Sequence, residues 1–156
     1  MSEKLNKILL KTKKEYITID NLKTENENSV LNTLAEKLFC GNCIVEFNTD
    51  ALTTNEAIIL GKKLKQLCAE FDSLLIIKDR ADIAFAINAN GIILDKNSID
   101  IHNAKHILGE NTIIGYSINS LENRENISFQ NIDFLKISEN SNINVNIPIF
   151  HNSYSI

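Results

Sequence analysis

The chain has 156 residues, 44% hydrophobic and 23% charged, a balance that suits one globular domain with a real core and excludes a disordered segment. Its net charge of -4 argues against nucleic acid or an anionic membrane as a main partner. No apolar run approaches the ~20 residues that span a bilayer, and the stretch before Tyr16, apolar only at Ile8–Leu10, lacks a signal-peptide cleavage pattern, so a cytoplasmic protein is expected.

In chain order, a small Lys11, Lys13, Lys14 cluster reads as a solvated lead-in to a first strand at Tyr16–Asp20. Ser29–Leu38 reads as a helix, with Val30, Leu31, Leu34, Ala35 and Leu38 on one face. Ile44–Phe47 is the second strand. Thr53 and Glu56 form a capping-box signature, and the apolar periodicity from Ile58 to Phe71 marks a long second helix. Leu74–Ile77 is a continuous apolar run, the pattern of a strand buried on both faces. A short helix at Ala81–Ile87 and a fourth strand at Gly91–Leu94 follow. Asp100 can cap a fourth helix that stops at Gly109. Thr112–Tyr116 is the fifth strand, Leu121–Phe129 a weak helix and Asp133–Ile137 the sixth strand. Ser138–Asn146 is polar and Asn-rich, and Ile147–Phe150 is at most one more short strand. Strands alternating with helices imply parallel β-α units joined by right-handed crossovers.

Two clusters invite a chemical reading. Cys40-Gly41-Asn42-Cys43 has C-x-x-C spacing, but it leaves a helix and enters a strand, whereas a thioredoxin-type pair opens a helix. Small buried residues at a junction are the expected role. His102 and His106 share a helix face at i, i+4 without the glutamate of a zinc-protease motif, and are expected on the surface, as are Glu122, Arg124 and Glu125.

The segment Leu74–Asn119 carries a longer pattern. Ile76-Ile77-Lys78-Asp79-Arg80, Ala81-Asp82-Ile83-Ala84, Ala89-Asn90-Gly91-Ile92-Ile93, Leu108-Gly109 and Ile113-Ile114-Gly115-Tyr116-Ser117 fall in that order. In this order and spacing the chain resembles the thiamine phosphate synthase/TenI family over about residues 15–138, leaving 139–156 as a divergent tail within a single domain over 1–156. The resemblance implies a truncated or modified (β/α)8 TIM barrel; an open parallel sheet with helices on both faces is the alternative. A full barrel takes ~250 residues, more than are present. The implied activity joins a hydroxymethylpyrimidine pyrophosphate to a thiazole phosphate with magnesium.

By that resemblance the second strand of the family holds pyrophosphate and pyrimidine with a Gln-x-Arg-x-Lys run. Here the matching residues are Glu46, Asn48 and Asp50, so both cations are gone. Asp79 matches a magnesium carboxylate, with Lys78 in place of an asparagine beside it. The second magnesium carboxylate falls on Ser98, with Asp95 and Asp100 nearby out of register. Ser117 matches a serine that contacts phosphate. Lys136 stands where the family has a Gly-Pro loop, and no glycine follows Gly115 to build a phosphate cradle. The candidate site residues are therefore Lys78, Asp79, Ser117 and Lys136, with Asp79 the metal candidate, Mg2+ the implied cofactor and a small phosphorylated ligand the implied partner. Two readings stand: an impaired or altered-substrate relative of the enzyme, or a non-catalytic binding or regulatory module. A barrel short of its last units would expose two strand edges. The apolar tail residues Val145, Ile147, Ile149, Phe150, Tyr154 and Ile156 are expected to cover that gap or to dock on a second copy in a homodimer.

Overall fold

The computed structural model describes residues 15–39, 41–118, 128–138 and 146–156. The elements are β1 (Glu15–Ile19), a 3-10 turn (Thr24–Asn26), α1 (Glu27–Leu38), β2 (Cys43–Phe47), α2 (Thr54–Glu70), β3 (Leu74–Lys78), α3 (Ala81–Ala86), β4 (Gly91–Leu94), α4 (Ile101–Leu108), β5 (Ile113–Ile118), β6 (Phe134–Ile137), β7 (Ile149–Phe150) and β8 (Tyr154–Ser155). The expected order holds from β1 to β6. The Thr53 hydroxyl accepts from the Glu56 N–H while the Glu56 carboxylate accepts from the Thr53 N–H, closing the capping box of α2. Asp100 caps α4 through the Asn103 N–H at 2.9 Å, and Gly109, at φ 94°, ends it. The fifth strand runs on to Ile118, because Ser117 and Ile118 keep pairing with Lys136 and Ile137 of β6. Ser117 therefore sits inside the strand. Most of the weak helix expected at Leu121–Phe129 falls at 121–127, outside the described residues, as do Glu122, Arg124, Glu125, Val145 and the lysines before β1.

Every strand pair is parallel, in the spatial order β7-β6-β5-β4-β3-β2-β1-β8. The sheet curls into a barrel and does not lie open between helix layers. Tyr16, Ile44, Leu74, Ile76, Ile93, Ile113, Phe134 and Phe150 form one buried cluster drawn from strands alone. The alternate residues, Ile17, Ile19, Val45, Phe47, Leu75 and Ile77, pack outward against helix residues such as Leu34, Leu38, Leu60, Leu64 and Ile83. A sheet face that buries itself without a helix layer does so by curling on itself. Among these, a fully enclosed Ile or Leu contributes about 1.5–3 kcal/mol of apolar burial. Tyr16, Phe134 and Phe150 meet inside, with ring centroids 5.6–6.0 Å apart. Gly115 makes room for them: a Cβ there would lie 2.2 Å from Phe134 Cζ.

The two sheet edges are occupied by one segment. Ile149–Phe150 pairs with β6, and Tyr154–Ser155 pairs with β1. Leu135 N–H donates to the Pro148 carbonyl, Ser153 N–H to Tyr16, Ile156 N–H to Thr18, and Asp20 N–H to Ile156, each at 2.8–2.9 Å. The tail covers the gap within the chain, supplying a final strand, β8, where sequence reading saw at most a seventh. No described helix is long and apolar enough to cross a membrane.

Candidate functional site at the barrel mouth

Because side chains alternate along a strand, the inward positions of each strand form layers. The lower layers are the apolar cluster just described. Toward the C-terminal ends the inward residues become polar: Thr18 on β1, Glu46 on β2, Lys78 on β3, Asp95 just past β4, Ser117 on β5 and Lys136 on β6. With Asp20, Asp79 and Asn152 they line a cavity of about 240 Å³. This is the end of the barrel at which (β/α) folds place their sites.

All four residues singled out from sequence reach this cavity. Lys136 Nζ lies 2.6 Å from Glu46 Oε2 and 3.4 Å from Thr18 Oγ1, with the Tyr16 ring centroid 5.1 Å away. Glu46 is 3% exposed and also accepts the Tyr16 hydroxyl at 2.7 Å. Burial, and then the Glu46 carboxylate, hold the Tyr16 phenol well above its ordinary range, so it remains a donor. Lys78 faces Asp50 at 3.4 Å. Burial opposes its charge, but Asp50, Asp79 and Glu46 outweigh burial and raise its pKa. Asp79 adopts φ 60°, a left-handed conformation that Asp tolerates, with its N–H held by the Ile93 carbonyl at 3.0 Å. Its carboxylate accepts the Ser98 hydroxyl, which also lies 3.2 Å from Asp95 Oδ1. Arg80, next in the motif, turns away onto Asp82 in a bidentate pair.

Sequence reasoning missed Asp95, Asn152 and the partnership of Glu46 with Lys136. Asp95 reads out of register when residues are counted from Gly91, but the turn Asp95–Ser98 folds back on itself through the Asp95 N–H to Ser98 Oγ bond at 2.8 Å. That fold-back carries the Ser98 hydroxyl between Asp95 and Asp79, which leave the ends of the neighbouring strands β4 and β3. Asn152 belongs to the closing segment, and its amide meets the Thr18 hydroxyl at 2.9 Å. Of the other clusters, the histidine pair takes its expected place on the surface. His102 and His106 are exposed on α4, and no group of three or more His, Cys, Asp or Glu able to hold a metal occurs among the described residues. Cys43 is buried, and Cys40 lies outside the described residues.

An abbreviated parallel (β/α) barrel with a polar, ligand-sized mouth defines the class. The profile of the family described as thiamine monophosphate synthase matches residues 16–141. The chain is 34% identical over 107 residues to a thiamine-phosphate synthase of Campylobacter jejuni (strain 81-176), covering 69% of this chain and 51% of that protein. It is 32% identical over 114 residues to a thiamine-phosphate synthase of Prochlorococcus marinus, covering 73% and 33%. It thus spans between a third and a half of these relatives. A solved thiamine phosphate pyrophosphorylase of Pyrococcus furiosus superposes with a TM-score of 0.75 at 26% identity, covering 93% of this chain and 76% of that one. The chain belongs to the thiamine monophosphate synthase (TenI) family.

Proposed function

We propose that the barrel mouth is a small-ligand site of the family that has lost the charge pattern needed for thiamine phosphate synthesis. The observation that carries this reading is how the mouth spends its cations. Lys136 is neutralised by Glu46 and Lys78 by Asp50, and Glu46 on β2 and Asp50 just after it stand where the family pattern has a neutral and a cationic group. Four carboxylates (Asp20, Glu46, Asp79, Asp95) face two ammonium groups in the lining. A pyrophosphate entering this mouth meets net repulsion at short range, in a half-enclosed space where water screens poorly.

The residues present still fit magnesium. Asp79 and Asp95 converge on one hydroxyl, Ser98, and a hard divalent cation is commonly held by one or two carboxylates with water and substrate oxygens completing its shell. These residues would hold the ion, which would supply positive charge against a phosphate near Ser117. A small phosphorylated ligand therefore depends on the metal, and without it the mouth favours a neutral polar ligand. In this reading Asp79 anchors the metal, Ser117 offers a hydroxyl to the ligand, and Lys78 and Lys136 set the local field.

The test is a thermal-shift series with the pyrimidine and thiazole precursors, with and without magnesium, beside an assay for pyrophosphate release. The expected result is no measurable turnover. Magnesium-dependent pyrophosphate release abolished by Asp79→Ala would overturn it and restore the synthase. A purely regulatory module remains the second reading, favoured by the pairing of both lining ammonium groups with carboxylates. A cytoplasmic location and a homodimer belong to the same proposal, although the tail's pairing within one chain removes the edge-covering reason for a dimer; light scattering decides the latter.

A further inference from the structure

We infer that Lys136 is a carbonyl-reactive amine, with Glu46 as its proton acceptor and donor, and that the mouth takes a small, uncharged aldehyde or ketone. The inference rests on the proposed reading of the mouth as the ligand site and names the ligand's chemical class.

The geometry is specific. An amine that attacks a carbonyl must shed a proton and must later give the departing oxygen one, so a base within contact distance is the usual companion of such a lysine. Lys136 Nζ lies 2.6 Å from a carboxylate that is itself almost wholly buried. Glu46 is fixed in turn by the Tyr16 hydroxyl, so the pair has a base and a group that orients it. The amine stands at the cavity wall on a side chain only 16% exposed, unlike the exposed Lys62 of α2. The remaining charged groups facing it across the mouth are Asp20, Lys78, Asp79 and Asp95. Their acidic balance rejects an anionic keto acid more than a neutral carbonyl compound, and the cavity of about 240 Å³ has room for a small molecule.

The step balances without a redox partner. Nζ passes a proton to the Glu46 carboxylate and its lone pair forms a bond to the carbonyl carbon as the C=O π pair moves onto oxygen; a second Nζ proton then passes to that oxygen, giving a neutral carbinolamine. Glu46 returns its proton to the hydroxyl, the C–O bond breaks, water leaves, and a protonated imine links Lys136 to the ligand.

The test is borohydride trapping of the full chain with dihydroxyacetone (neutral) and pyruvate (anionic), read by intact mass and peptide mapping, with backbone amide NMR shifts at Ser117 and Asn152 reporting occupancy of the mouth. A single reduced adduct on Lys136, formed faster with dihydroxyacetone, is expected. It should disappear in Lys136→Arg, which keeps the charge facing Glu46, and persist in Lys62→Arg on the surface of α2. Glu46→Gln should slow trapping about a hundredfold and alter its pH profile, while Tm reports whether that variant is folded. Amide shifts without an adduct, or adducts spread over surface lysines and unchanged in Lys136→Arg, would overturn the carbonyl chemistry and leave the mouth as a ligand site. Neither shifts nor adduct would overturn both.

Discussion

Phe150→Ala tests whether the closing segment is a structural part of the barrel. The ring is 9% exposed and sits 5.6 Å from Phe134 and 6.0 Å from Tyr16, centroid to centroid. Truncating a buried Phe to Ala costs ~3–5 kcal/mol, a range that already contains ring-pair contributions of ~0.5–1.5 kcal/mol each. β7 and β8 are two residues each, and ordering each residue of the segment opposes docking by ~1–2 kcal/mol. The segment's net docking energy is therefore modest and limits the loss, since beyond that limit the segment detaches and the rest of the barrel stays folded. The expected cost is about 3 kcal/mol, the low end of the truncation range. For a chain of this length that corresponds to a fall in Tm of roughly 6–12 °C, at ~2–4 °C per kcal/mol. Urea and thermal unfolding followed by circular dichroism measure it, and hydrogen exchange should show new opening at the β1 and β6 edges. Phe150→Leu should recover most of the loss. A stability change below ~1 kcal/mol, with those edges still protected, would refute the reasoning, because one core ring is worth more than that.

Gly115→Ala should destabilise by about 1–3 kcal/mol, since the new methyl meets the rigid, enclosed Phe134 ring and not a flexible chain end; Phe134→Leu in the same background should relieve part of it, as read by urea unfolding. Asn90→Ala should cost about 1–3 kcal/mol, because its Oδ1 accepts the Leu75 N–H at 2.9 Å and Lys65 Nζ at 2.7 Å, and the strand N–H loses its partner. Stability should also decline in alkali. Burial pushes the Cys68 thiol from 9.0 to about 12, so between those values the unfolded chain has lost a proton that the folded chain keeps, and stability falls as pH rises through that window. The Tyr16 phenol, also raised, adds to the slope with the same sign. Urea midpoints across that range should show a shallower decline in Cys68→Ala; an unchanged slope would exclude the thiol as a cause.

What the sequence determined by itself is the local layer of this protein. The capping box at Thr53 and Glu56, the Asp100 cap, the Gly109 stop and the apolar runs at Leu74–Ile77 and Gly91–Leu94 are short-range signals, and they fix the order of β-α units. The candidate residues Lys78, Asp79, Ser117 and Lys136 were legible too, because the resemblance to the family matched them to its motif positions, and all four line the mouth. The tertiary structure decided what those residues meet. Glu46 and Lys136 are 90 positions apart and touch only because β6 curls round to face β2 across the interior. Asp95 is linked to Asp79 by the Ser98 hydroxyl, which the turn after β4 folds back between them. The closing role of Ile149–Ser155 was open in the sequence, since an apolar tail suits either its own barrel or a second copy. The barrel's curvature brings the unpaired edges of β1 and β6 within reach of one short segment, and pairing both at once satisfies backbone groups that would otherwise stay open.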